Sequence, residues 1–438
     1  MRSAKRAALA AISLLAVLAT ARAEEAAEAR AIGVDEAVRL ALEGNLGLGR
    51  EAIALATAER NSGAALNLIY PSVEAGLSAT RSSADLPSEA DRWSATGSLS
   101  LGLSLSPKLK IQVEQLKQAY RSGLVDYDEA ARELELSVRK AFCAVLLDEA
   151  KLALAEQNLE RAKKNYEQAQ AKYSGGLAPE IDLLTAAVSY EEKGPAVESA
   201  RVALEDDLDA FKLLLGLDFA ARIELVGGLD SARSISPQAV AAALAAAPAD
   251  GGPALRALRA SLEEARLSLR LAKAGLFSPS IAASASSRKV MTDLAGARDV
   301  AEGGSISLSL TIPLDDLLPS SATRLSIASA EDSVAKLELQ LEETLASARS
   351  GWASLSRGIG ASIASLAAKD RGVELAQKKY DLINEAYQRG LRDIADLDDA
   401  ASDLNAARAE VVTGEYSLLT AALELESSLG ARFGTIGR

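Results

Sequence analysis

The chain has 438 residues and a formal net charge of −13, which argues against a protein that binds nucleic acid or an anionic membrane surface. It contains no His and a single Cys, so it lacks the commonest general base, the commonest transition-metal ligand and any disulfide framework. We therefore expect no enzymatic activity, no cofactor and no metal site.

Residues 1–23 have the features of a signal peptide. Three basic residues, Arg2, Lys5 and Arg6, precede an apolar run, and the run is followed by Ala21-Arg22-Ala23, which fits a cleavage site. The apolar run is shorter than the ~20 residues that span a bilayer as a helix. We expect the chain to be exported and to start at Glu24 once processed.

Two long tracts without proline, Lys108–Ala178 and Ser320–Arg438, predict uninterrupted helices. In the second tract, apolar residues recur at steps of three and four from Val334 to Leu366, which is the period of an α-helix. A helix of this length, roughly 100 Å, exceeds those of ordinary globular domains and favours coiled-coil-like packing.

The two halves of the chain are related by an internal duplication. Tyr173, Gly176, Asp182 and Gly216 each match an identical residue 214 positions later, at Tyr387, Gly390, Asp396 and Gly430. Glycine after a long apolar helix predicts a helix end, so each long helix is expected to turn and return as a hairpin.

This duplication gives the predicted domain organisation. The first repeat, residues 24–217, comprises N-terminal helices, strands at about 72–81 and 94–106, a long helix at about 108–173 and a return helix at about 180–215. Residues 218–252 form a connector. The second repeat, residues 253–438, comprises a helix at about 253–276, strands at about 280–289 and 304–313, a long helix at about 321–388 and a return helix at about 392–430.

The predicted strands are amphipathic. Leu99, Leu101 and Leu103 alternate with serine and glycine in the first repeat, and Ile306 and Leu308 alternate with serine in the second. This period of two is typical of a strand with one apolar and one hydroxyl face. A soluble sheet and a membrane-spanning sheet both explain it.

The length of the strands favours the membrane, because about ten residues cross an outer membrane when tilted. Four strands cannot close a barrel, and an open edge in lipid leaves backbone groups unpaired. The chain is then expected to oligomerise. Two copies give eight strands with a filled interior, whereas three give twelve strands and a lumen lined by Ser and Thr.

The Val34–Asn45 opening, the Tyr70-Pro71-Ser72 strand start and the two Tyr-x-x-Gly-Leu turns together resemble TolC-type outer membrane efflux proteins. The resemblance implies an α+β membrane protein: long antiparallel helical hairpins form a periplasmic tunnel, and four strands per chain contribute to an oligomeric transmembrane β-barrel. It implies a homotrimer in outer membrane lipid, joined through a periplasmic adaptor to an inner membrane transporter. Drugs, metal ions and polypeptides remain open as cargo.

The same resemblance assigns roles to the hairpin turns. Gly176, Leu177, Gly390 and Leu391 match the tips that contact the adaptor, and Asp396 and Asp399 match carboxylates that narrow the periplasmic entrance. The first repeat departs from this pattern, since it has Asp182 and Thr185 at the equivalent positions. The alternative for the aspartates is a solvated helix start, where acids interact favourably with the helix dipole.

Contacts between the two hairpins are a further expectation. If the hairpins lie side by side, Arg392 is predicted to pair with Asp182, and Tyr387 to donate a hydrogen bond to the same carboxylate, which would hold the entrance closed. The function expected overall is a passive exit duct of an efflux or type I secretion system, driven by an inner membrane pump. The competing hypothesis is a periplasmic structural or adhesive coiled coil without a pore.

Overall fold

The computed structural model describes residues 30–81, 93–246, 252–291, 300–314 and 318–436. The expected signal peptide and the expected hairpin loop at 82–92 lie outside these residues. Of the second hairpin loop, expected at about 291–303, residues 292–299 lie outside them, and the loop is wrong at residues 300–303, which are strand. Two compact units are present. One contains the described residues before Ala52, those of Asp128–Ala254 and those after Thr344, and the other contains Ala52–Tyr127 and Leu255–Thr344. Within the described part of the chain, none of the helices combines the length and the apolarity needed to cross a membrane.

Helices dominate the described residues, and the two longest have 67 residues each. The helices are α1 (Val34–Gly44), α2 (Leu46–Gly63), α3 (Lys108–Ser174), α4 (Glu180–Leu215), α5 (Pro237–Ala245), α6 (Pro253–Gly275), α7 (Ala322–Gln388) and α8 (Ile394–Leu429). The strands are β1 (Arg30–Ile32), β2 (Ser72–Arg81), β3 (Trp93–Leu105), β4 (Ile223–Leu225), β5 (Ser280–Met291) and β6 (Val300–Thr311). The predicted combination of long helical hairpins with four longer strands is confirmed.

Two elements differ from their predicted bounds for local reasons. Helix α8 begins at Ile394 rather than near residue 392, because the carboxylate of Asp393 accepts a hydrogen bond of 2.9 Å from the N–H of Asp396 and caps the helix. Strand β6 begins at Val300 rather than near residue 304, because its first residues continue the antiparallel ladder with β5 as far as Met291.

Strands β2, β3, β5 and β6 form one antiparallel sheet in the order β2-β3-β5-β6, so the two repeats meet at the β3–β5 ladder. Residues paired across a ladder share a face, and the register places Leu99 opposite Ala75 and Leu101 opposite Val73. Ser284 and Ser307 are likewise paired, and their hydroxyl groups lie 2.7 Å apart. The sheet therefore has one apolar face and one hydroxyl face, as the alternation predicts.

In the unit that contains this sheet, polar contacts on exposed faces connect helix α6 to α3 and α7. Arg266 pairs with Glu338 at 3.0 Å and Lys273 with Glu331 at 2.8 Å, which links α6 to α7. The amide of Gln115 on α3 donates to the hydroxyl of Ser268 on α6 at 3.4 Å. Exposed pairs of this kind contribute little each, so they align helices rather than anchor them.

The connector, whose packing the sequence leaves open, lies against α7 and α8 in the other unit. Its 3₁₀-helix, Leu229–Ser234, and α5 contribute buried residues to a core formed mainly by those two helices. The buried residues of this core are Ala232, Ile235, Val240, Trp352, Ile359, Leu366, Val411, Leu418, Ala422, Leu425, Leu429 and Ile436. Strand β4 adds a parallel pairing with β1, so the connector also pairs with the residues directly before α1.

One arginine reinforces this packing. The guanidinium of Arg233, on the 3₁₀-helix of the connector, forms two hydrogen bonds of 3.0 Å to Asp370 on α7 and one of 2.8 Å to Glu415 on α8. Glu415 is only 5% exposed, so Arg233 is the partner that compensates the burial of its carboxylate. These two carboxylates raise the pKa of Arg233, the hydrogen bonds to Asp370 most of all. The connector thus ties α7 to α8.

Candidate functional site: the ends of the helical hairpins

Both hairpins turn through the same backbone motif. Gly176 and Gly390 have φ angles of 72° and 74°, a left-handed conformation that favours glycine. Their N–H groups donate to Tyr173 and Tyr387, and the next residue donates to the carbonyl five positions back. This is the Schellman pattern of a helix C-terminus. The 214-residue offset seen in the sequence is therefore a structural repeat of the two turns.

The tips of the two turns project apolar side chains into solvent. Leu177 is 82% exposed and Leu391 is 73% exposed, and a Cβ added at either preceding glycine would meet no atom within 4 Å. Among the described residues, then, nothing covers the tips. An uncovered leucine at the same place in both repeats is a feature of a contact surface rather than of a core.

The two hairpins contact each other immediately behind their turns. A small apolar cluster joins residues of α3, α4, α7 and α8, and its buried members are Ala169, Ala186, Tyr387, Ile394 and Leu397. At its edge, the ammonium of Lys172 lies 3.5 Å from the centroid of the Tyr387 ring and donates a 2.7 Å hydrogen bond to the Tyr387 carbonyl. Because α3 belongs to one hairpin and α7 to the other, this residue pair is a direct link between them.

The predicted contacts between the hairpins are wrong within the chain. Arg392 pairs at 3.1 Å with Asp396, which lies four residues later in the same hairpin, and not with Asp182. An i,i+4 partner is always within reach, whereas a partner on another hairpin requires one particular rotation of both helices. The Tyr387 hydroxyl is buried without a hydrogen-bond partner among the described residues, so it does not donate to Asp182.

Asp182 nevertheless acts on both members of the observed link through its charge. Burial lowers the pKa of the Lys172 ammonium, and the negative charge of Asp182 opposes that shift. Burial raises the pKa of the Tyr387 phenol, and Asp182 raises it further. Two of the three residues that the sequence associates with a closed entrance, Asp182 and Tyr387, are thus near each other, and Lys172 takes the position predicted for Arg392. The position equivalent to Lys172 in the second repeat is occupied by Ala386, so the internal duplication does not predict this role of Lys172.

The two aspartates predicted to narrow the entrance, Asp396 and Asp399, occupy the first turns of α8. Asp399 is exposed and Asp396 is partly exposed and paired with Arg392, while Asp393 caps the helix. Lys379 on α7 pairs with Asp403 at 2.5 Å, and Asp403, Asp399 and Asp396 all raise its pKa. Arg392 and Lys379 therefore balance part of the negative charge of this surface in each chain. The spacing of the sequence alone does not reveal this role of Lys379.

The fold matches several solved structures, each aligned over 91% of this chain. A membrane protein from Pseudomonas aeruginosa aligns over 90% of its length with a TM-score of 0.72 and 19% identity. The CmeC outer membrane channel of Campylobacter jejuni aligns over 85% with a TM-score of 0.71 and 16% identity. The outer membrane protein VceC of Vibrio cholerae aligns over 96% with a TM-score of 0.70 and 18% identity. At these identities the likeness establishes the fold alone.

No curated protein sequence matches the chain at a significant level. The sequence does match the profile of the outer membrane efflux protein family, over residues 37–217 and again over residues 249–431. The two matched segments contain both helical hairpins and all four strands of the larger sheet. With both repeats matched over most of its length, this chain belongs to the outer membrane efflux protein family.

Proposed function

We propose that the chain is the channel-tunnel subunit of a multipartite efflux or type I secretion system, and that it works as a passive exit duct. Three copies form the channel in the outer membrane. A periplasmic adaptor joins it to an inner membrane transporter, which supplies the energy. The chain itself catalyses no reaction and binds no nucleic acid. Family membership supports the efflux role, and CmeC, a protein of the same fold, is an outer membrane channel.

The observation that carries the proposal is the exposed apolar face of the four-stranded sheet. Ile306 is 91% exposed, Leu77 is 87% exposed and Leu308 is 77% exposed. A soluble monomer rarely leaves contiguous apolar surface of this kind in water. Lipid is the environment in which such a face is stable, and strands are compatible with lipid when their backbone groups are paired.

The opposite face of the sheet suits a water-filled lumen. A row of polar side chains crosses all four strands at one level, from Glu74 through Ser100 and Ser286 to Ser305. The hydroxyl groups of Ser286 and Ser305 lie 2.9 Å apart, so neighbouring strands are also joined on this face. Hydroxyl groups can remain hydrated without fixing a charge, which fits a duct that passes varied cargo.

The two edge strands of the sheet favour an assembly of more than one copy of the chain. Within the described residues β2 and β6 each have a ladder on one side only, so each carries a row of backbone groups for a further strand. Pairing β6 of one chain with β2 of the next repeats head to tail and closes into a ring. Twelve strands from three copies leave an open interior, whereas eight strands from two copies are filled by side chains.

The test is accessibility of the two faces of the sheet in outer membrane vesicles. We expect Ser100→Cys and Ser307→Cys to react with a small, membrane-impermeant thiol reagent, and the neighbouring Leu101→Cys and Leu308→Cys to be protected by lipid. The native Cys143 gives little background, because burial raises its pKa to about 11 and keeps it as the unreactive thiol. Equal labelling of both faces would mean a water-exposed sheet and would reject the channel.

A second measurement separates the channel from the alternative of a periplasmic coiled coil without a pore. The channel is expected in the outer membrane fraction as an oligomer that detergent extracts intact. Bifunctional cross-linking of that fraction should yield trimers. Recovery of the protein in the soluble periplasmic fraction, or of monomer alone after cross-linking, would favour the structural coiled coil.

A further inference from the structure

A polar cavity of about 110 Å³ lies among α3, α4 and α8. This volume is several times the ~30 Å³ that one water molecule takes in the liquid, so it admits a small ion with some of its hydration. The cavity lies within one compact unit. Its polar lining consists of Asn158, Arg161, Asn165, Lys193, Asp398, Ser402 and Asn405.

The charges around the cavity favour an anion. Two cationic side chains, Arg161 and Lys193, face a single carboxylate, that of Asp398. That carboxylate is already engaged, because its Oδ1 accepts a 2.6 Å hydrogen bond from the Ser189 hydroxyl. Burial lowers the pKa of Arg161 most. Arg408 adds a third positive charge, which is close enough to lower that pKa further. A positive cavity is unusual in a chain whose net charge is −13.

Three lining groups also lack partners within the described part of the chain. Asn165 is only 8% exposed and its side-chain amide makes no hydrogen bond, although it lines the cavity. The Oδ1 atom of Asn158 is buried without a partner, and Lys193 forms no ion pair. Buried polar groups are rarely left unsatisfied, so the cavity suits an occupant that accepts hydrogen bonds from the Asn165 amide and Lys193, beside a water molecule that donates to Asn158 Oδ1. Arg161 is held in place by a 2.9 Å bond to Asn405 and by the Tyr380 ring.

We propose that this cavity binds a small inorganic anion of the size and charge of chloride, contacted by Lys193, Arg161 and Asn165. A divalent cation fits the lining poorly, because one bonded carboxylate and two cations surround the site. A bulky organic anion does not fit the volume. The ion links α3 and α4 of one hairpin to α8 of the other, and it is therefore expected to stabilise the contact between the hairpins. This inference does not depend on the channel function.

The test compares anions at one ionic strength. The purified full-length protein in detergent is heated in sodium chloride, sodium bromide or sodium gluconate, and the thermal midpoint Tm is recorded. We expect Tm to be several degrees higher in chloride and bromide than in gluconate, because gluconate is excluded by size. In Lys193→Gln the difference between chloride and gluconate should fall at least twofold. Asn165→Leu, which removes the amide and fills space, should have the same effect.

The matched control is Lys163→Gln, which removes the same charge from an exposed position of α3 outside the cavity lining. It should retain the full difference between chloride and gluconate. Line broadening of the ³⁵Cl resonance gives an independent reading, and it should drop at least twofold in Lys193→Gln and not in Lys163→Gln. Equal Tm values in chloride and gluconate, equal losses in both lysine variants, or a Tm that follows the cation instead of the anion would each overturn the proposal.

Discussion

The ammonium group of Lys172 donates a 2.7 Å hydrogen bond to the carbonyl of Tyr387 and lies 3.5 Å from the centroid of that residue's ring. Lys172 belongs to the last turn of α3 and Tyr387 to the last turn of α7, so this contact joins the two hairpins directly behind their turns. The same carbonyl accepts from the N–H of Gly390. The lysine therefore also places a positive charge at the C-terminus of α7, where the helix dipole favours it.

Replacing Lys172 by methionine should loosen the two hairpins while keeping the apolar stem that covers Tyr387. The variant loses a charged hydrogen bond and a cation–π contact, together about 1–3 kcal/mol at this partly exposed position. We expect a lower Tm and a higher single-channel conductance in planar bilayers, because the hairpin ends separate more easily. Lys164→Met, which removes an exposed pair with Glu160, is the control and should change neither. Unchanged conductance in Lys172→Met would exclude this link as a gate.

Tyr387→Phe distinguishes the observed link from the predicted one. The Tyr387 hydroxyl is buried and has no hydrogen-bond partner among the described residues. Its removal should leave the free energy of unfolding unchanged or raise it by up to about 1 kcal/mol, so Tm should not fall. The ring and the carbonyl that Lys172 contacts both remain. If the hydroxyl instead donates to Asp182, as the sequence predicts, the same substitution lowers Tm and raises conductance. Thermal denaturation of the two proteins side by side decides between these outcomes.

What the sequence predicts well here depends on local rules. Glycine at positive φ ends each helix, and apolar residues at steps of three and four mark the buried stripe, so the hairpins and their turns follow from spacing alone. The contact of Lys172 with Tyr387 does not, because it depends on the rotation of two helices that are far apart in the chain. The same limit applies to Arg392, because it pairs with Asp396 one turn away and not with Asp182 on the other hairpin.

An acid pair, formed by buried Asp148 on α3 and partly exposed Asp207 on α4, should make the contact of these helices sensitive to pH. Burial, and then a hydrogen bond with Asp148, raise the pKa of Asp207 above its ordinary value, and repulsion from Asp148 adds to the shift. Lys151, which pairs with Asp148 at 2.8 Å, lowers that pKa, and Asp206 raises it. Because the folded state holds the proton more tightly, its contribution to stability is full below the unfolded pKa and is lost as the pH rises through the folded value.

Asp207→Asn should remove this pH dependence. The amide stays uncharged and can still donate to Asp148, so we expect a higher Tm than the native chain at pH 7–8 and a smaller gain on acidification toward pH 5. Asp206→Asn is the matched control, because Asp206 is an exposed neighbour that should leave the pH profile nearly intact. Thermal midpoints measured across this pH range provide the comparison. A profile for Asp207→Asn that parallels the native one would show that the pair does not control this contact.

Arg233→Met should destabilise the attachment of the connector to α7 and α8. The substitution leaves the carboxylate of Glu415, which is 5% exposed, without a partner, at a cost of about 1–3 kcal/mol. Arg266 offers a natural comparison, because it also bridges two carboxylates, Glu263 and Glu338, but both of these are about half exposed. Arg266→Met should therefore have little measurable effect. Equal Tm losses in the two variants would contradict the role of burial.

The last prediction concerns ion selectivity and the two aspartates predicted to line the entrance, Asp396 and Asp399, which lie near Arg392 and Lys379. The charge of Asp396 is partly balanced by Arg392 at 3.1 Å. In a trimer, six of these carboxylates would surround one axis, and their combined potential would attract cations.

Substituting both aspartates by alanine should then weaken the cation preference and the block by divalent cations, as measured by reversal potentials in asymmetric salt. Arg392→Ser should do the opposite, because it removes the cation that balances Asp396 and leaves all six carboxylates in place. This outcome differs from the unlocking expected of a pair with Asp182, which would raise conductance without strengthening divalent block. Opposite shifts of selectivity in the two variants would assign the aspartates to the entrance, whereas unchanged selectivity in both would make them a solvated helix start whose charges stabilise the N-terminus of α8.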